Sequence, residues 1–166
     1  MSPTYVVLGL FFFVATILVI RGFVRRGKNL LGALEPLPGE TTVVELDAEL
    51  CQVMRRRAVY NTLVFMAVQV RVTNLRLIVA QAGLFSDKRV LRHIFHLSAE
   101  TAREPSDWKD GYYTFILDVQ KSRLETQGGH EVLKLVPTDD APHLPECVLL
   151  RGATIVELAE KAQLRK

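Results

Sequence analysis

Val68-Gln-Val-Arg-Val-Thr-Asn-Leu-Arg-Leu-Ile-Val79 alternates apolar and polar residues up to a Thr-Asn turn and then starts a second apolar run. Alternation with period two is the mark of a strand with one buried face, so Val68, Val70 and Val72 are expected inside and Gln69, Arg71 and Thr73 outside. Thr73-Asn74 between two such runs predicts a hairpin. Short runs rich in Val, Leu, Ile and Thr recur on both sides, and strands are predicted at 41–53, 59–72, 75–82, 90–97, 111–120, 131–136 and 146–151. Tyr113, Phe115, Leu117 and Val119 repeat the pattern. Gln127-Gly-Gly-His130 predicts a second hairpin, joining Arg123-Leu124 to Val132-Leu-Lys-Leu135.

The period changes at the carboxy terminus, where Ile155, Leu158, Ala159 and Ala162 fall on one face of a helix. Thr154 and Glu157 have the spacing of a capping box. The fold expected for residues 40–166 is therefore a mainly antiparallel β domain closed by one helix. No internal repeat is visible.

Upstream the chemistry differs. Tyr5 to Ile20 carries no charge, and with its flanks from Thr4 to Val24 it would span roughly 31 Å as a helix, the thickness of a bilayer core. Arg21, Arg25, Arg26 and Lys28 follow it and no charged residue precedes it, the reverse of a secretory signal. Residues 1–28 are accordingly expected to be a single-pass transmembrane anchor with a basic flank. By the positive-inside rule the amino terminus would lie outside and the domain on the cytoplasmic face of a membrane, the bacterial inner membrane being the expected one. Residues 29–39 contain two Pro and two Gly and are expected to form a linker whose leucines pack on the domain or on a membrane partner.

Charge excludes a general nucleic-acid binder. Of the 21 Lys and Arg residues four lie before residue 29, and all 18 Asp and Glu lie after it, which leaves the domain nearly neutral with no basic stripe for phosphates. Cys51 and Cys147 lack the close spacing of a metal or redox pair and are expected as buried free thiols.

Seven strands and a helix in this order resemble the pleckstrin-homology-like domain, and Thr73, Asn74, Arg76 and Leu77 resemble the strand-turn-strand signature of bacterial PH-like and GRAM-like domains. The glycine usual at the start of that signature is absent, and the loop from Glu100 to Asp110 departs from it. The resemblance implies a bent antiparallel barrel plugged by the terminal helix, and it implies that Arg55, Arg56 and Arg57 lie near a loop able to meet phosphoinositide headgroups. Read from the residues alone, the same arginines are a solvated turn or a partner contact.

His93 and His96, beside Arg92, would point to opposite faces of a strand and are expected to be structural. Asp139, Asp140, His143, Glu146 and Cys147 match no metal-ligand spacing, and Pro137, Pro142 and Pro145 mark that stretch as a loop. No nucleophile elbow, P-loop or dinucleotide glycine pattern occurs. The expected function is thus non-catalytic, without cofactor, metal or small-molecule substrate. The chain would be an accessory subunit of a larger membrane complex, in contact with the bilayer and with integral membrane subunits. The alternative is a tethered module that binds lipid headgroups or a peptide.

Overall fold

A computed structural model describes residues 12–14, 16–17, 30–55, 62–83, 86–102, 112–139 and 144–164. Among these residues eight strands form one sheet: β1 (Thr42–Arg55), β2 (Thr62–Thr73), β3 (Arg76–Gly83), β4 (Ser86–His96), β5 (Tyr113–Ile116), β6 (Arg123–Gln127), β7 (His130–Leu135) and β8 (Pro145–Arg151), with a short helix, α1 (Ile155–Lys161), after them. The order across the sheet is β5-β4-β3-β2-β1-β8-β7-β6. Every pairing is antiparallel except β4 with β5, which run parallel with His93 opposite Tyr113.

The two longest strands serve two layers. Residues 42–48 of β1 pair with β2, whereas residues 50–54 pair with β2 on one side and β8 on the other. In β2, residues 68–72 lie between β1 and β3, and residues 62–66 beside β1. The change of neighbours coincides with a slip in alternation. Ala48 and Cys51 both face the core although Glu49 and Leu50 intervene, and on β2 Phe65 and Val68 both face it across Met66 and Ala67. Ala67 makes the slip with φ of 52°, and Gly152 lets β8 approach, since a Cβ there would lie 2.9 Å from the Glu49 backbone nitrogen.

Between the layers lies one apolar core, built from Cys51, Val70, Leu77, Phe95, Leu133 and Leu150 among others and closed by Ile155, Leu158, Ala159 and Leu164. Val68, Val70 and Val72 are buried as alternation requires. The Gln127–His130 hairpin is present, with Gly128 and Gly129 supplying the positive φ that a two-residue turn demands. Thr154 is not a cap: at φ −93° and ψ 5° it is not extended, and its hydroxyl donates instead to the Asp47 carbonyl on β1 at 2.6 Å. That bond ties the helix entrance to the slip in β1.

The expectation of a transmembrane helix is corrected. Among the described residues no helix is long and apolar enough to cross a membrane. Within the apolar stretch the described residues 12–14 and 16–17 are helical, with the Thr16 hydroxyl donating to the Phe12 carbonyl at 2.8 Å. The rest of that stretch, and Arg21, Arg25, Arg26 and Lys28, lie outside the described residues. The single-pass topology, and the membrane and cytoplasmic-face placement drawn from it, are withdrawn with the helix.

Candidate functional site

The Thr73-Asn74-Leu75-Arg76 turn organises the segment before β1. Arg76 meets Glu40 through Nε and a terminal nitrogen, each at 2.7 Å, with both side chains almost fully buried, and its terminal nitrogen also donates to the Glu35 carbonyl. The Glu40 carboxylate further accepts from the Leu37 N–H and the Thr73 hydroxyl, both at 2.8 Å. Burial is the largest single influence on Glu40 and raises its pKa. The hydrogen bonds from Arg76, Leu37 and Thr73, with the charge of Arg76, outweigh it and hold the carboxyl below the usual range. Asn74 adds bonds to Thr41 and to the Gly39 carbonyl. The leucines upstream pack accordingly: Leu31 is buried with Ile78, Ala80, Leu91 and Ile94 on the outer face of β3 and β4. These residues form a clamp that ties the segment before β1 to the β2–β3 turn.

A second polar feature lies where β2 and β3 part. Arg92 is the extra residue at a register shift in β4, and its guanidinium sits 4.8 Å from the centre of the Phe65 ring on β2. The same group donates to Gln81 Oε1 at 3.0 and 2.8 Å. Next to it His93 is buried among Phe65, Phe95, Tyr113 and Phe115, with ring centres 5.9 to 6.3 Å away. Neither imidazole nitrogen has a hydrogen-bond partner. Burial, aided by the charge of Arg92, pushes the His93 pKa down to about 3, so the ring is neutral at physiological pH. Burial also drives the Cys51 thiol up to about 12, which leaves no thiolate to act as nucleophile. The chemistry of this region is aromatic packing with a cation over it.

The remaining candidates are dispersed. His96 lies on the outer side of β4, its Nδ1 3.3 Å from the Thr101 hydroxyl. Cys51 belongs to the main core and Cys147 to a separate outer cluster with Val132 and Leu149, and neither is in a disulfide. Arg55 is exposed at the end of β1 opposite Pro145, and Arg56 and Arg57 lie outside the described residues. Asp139 and Glu146 are exposed, while Asp140 and His143 are not described. Among the described residues no three His, Cys, Asp or Glu side chains come together to hold a metal.

The sheet edges differ in their chemistry. β6 carries Arg123 and Glu125, which pair at 2.9 Å, and residues 42–48 carry the exposed Asp47 and Glu45, the latter paired with Arg71 of β2 at 3.3 Å. Among the described residues, 62–66 of β2 pair with β1 alone, and they read Thr-Leu-Val-Phe-Met, with no charge. Val64 is 53% and Met66 70% exposed there, next to Gln52 and the half-buried Leu50 on β1. Natural edges are usually guarded by charge, Pro or a bulge, and an apolar open edge is a template for another strand. Reading 59–72 as one half-buried strand overlooked this edge. Its signal was the unbroken apolar run Leu63 to Val68, which has no polar face.

No family model matches the chain, and no curated protein or solved structure matches it either. The resemblance to PH-like and GRAM-like domains is therefore withdrawn, because the Thr73 to Leu77 signature finds no counterpart and its polar residues are accounted for by the clamp. The fold is a mainly antiparallel β sheet with a short carboxy-terminal helix.

Proposed function

We propose that this chain is a non-catalytic accessory subunit that works by docking on other polypeptides. The observation that carries this reading is the uncharged edge of β2, where Val64 and Met66 are exposed beside backbone groups that, among the described residues, pair with β1 alone. Apolar side chains in alternation on an open edge suit strand addition, in which main-chain hydrogen bonds supply affinity and every second side chain supplies specificity. The helical residues at 12–14 and 16–17 add apolar surface of the same kind, since Phe12 and Phe13 are 62% and 63% exposed. The buried titratable groups favour binding over chemistry, because His93 is held neutral and Cys51 is held as a thiol.

Purification of the full chain in mild detergent tests this. A stoichiometric partner is expected, and it is expected to be lost when Val64→Lys and Met66→Lys are introduced together. A chain that elutes with no other polypeptide, or a partner retained by the lysine variant, overturns the assignment.

A further inference from the structure

We draw no further inference here: the strongest candidate, the unpartnered imidazole of His93 inside the aromatic cage of Phe65, Phe95, Tyr113 and Phe115, belongs to the site already described, and nothing in the structure shows what ligand would reach it.

Discussion

Glu40 and Arg76 meet at two 2.7 Å bonds with their side chains 4% and 6% exposed, and a buried pair of this kind is costly to break by halves. Glu40→Ala leaves a guanidinium buried with only the Glu35 carbonyl, and a loss of about 3 to 5 kcal/mol is expected in urea unfolding. Glu40→Leu together with Arg76→Met should recover part of it, because the double change removes the unpaired buried charge but still takes their partners from the Leu37 N–H and the Glu35 carbonyl. If the single and double changes cost the same, the pair is not desolvated as described. Thr73, Asn74 and Arg76 were legible in the sequence as a turn between strands. Their purpose was not, because the carboxylate they hold lies 36 positions upstream of Arg76, immediately after the stretch that reads as linker. Periodicity reports which face is buried and says nothing about which distant acid meets which base.

The elements followed the apolar pattern wherever one face is buried along the whole strand, as in β3, β7 and β8. They departed from it where the face changes. β6 was expected only as an arm of the Gln127–His130 hairpin and not among the strands, because Arg123-Leu-Glu-Thr-Gln127 keeps Leu124 as its single apolar residue, and β5 is only Tyr113–Ile116 because the chain then bridges to Pro137 through Leu117. Parallel pairing of β5 with β4 is likewise set by the crossover and not by composition. The slips in β1 and β2 make their own predictions. Ala67 adopts φ of 52°, where a Cβ costs roughly 1 kcal/mol, so Ala67→Gly should raise stability by about that amount and Ala67→Val should lower it. Gly152→Ala should lower stability by about 1 to 3 kcal/mol, because its Cβ meets the backbone of Ala48 and Glu49 and not a movable side chain. Thermal unfolding of the three variants gives the signs directly.

At the scale of the molecule, the buried histidines make global stability a function of pH. His93 has a folded pKa of about 3 against 6.5 for the free side chain, and burial with the Arg76 charge lowers that of His96 as well, against a smaller opposing effect of Glu40. Below pH 6.5 the unfolded chain takes up protons that the folded chain refuses, so stability falls with pH, by about 1.4 kcal/mol per unit for each histidine fully in that window. Glu40, whose folded pKa is also depressed, adds to the loss only below the normal carboxylate range. A urea midpoint series from pH 7.5 to about 4 should therefore show a steep acid limb before carboxylates contribute. His93→Phe keeps an aromatic ring among Phe65, Phe95, Tyr113 and Phe115 and removes the titrating group. Any overpacking by the larger ring shifts the whole curve vertically, whereas loss of the proton changes its slope. The expected result is an acid limb shallower by about one proton, or 1.4 kcal/mol per pH unit, whatever the variant's stability at neutral pH. An unchanged slope would mean that His93 gains a partner or water on protonation, and that the aromatic cage opens more easily than its burial implies.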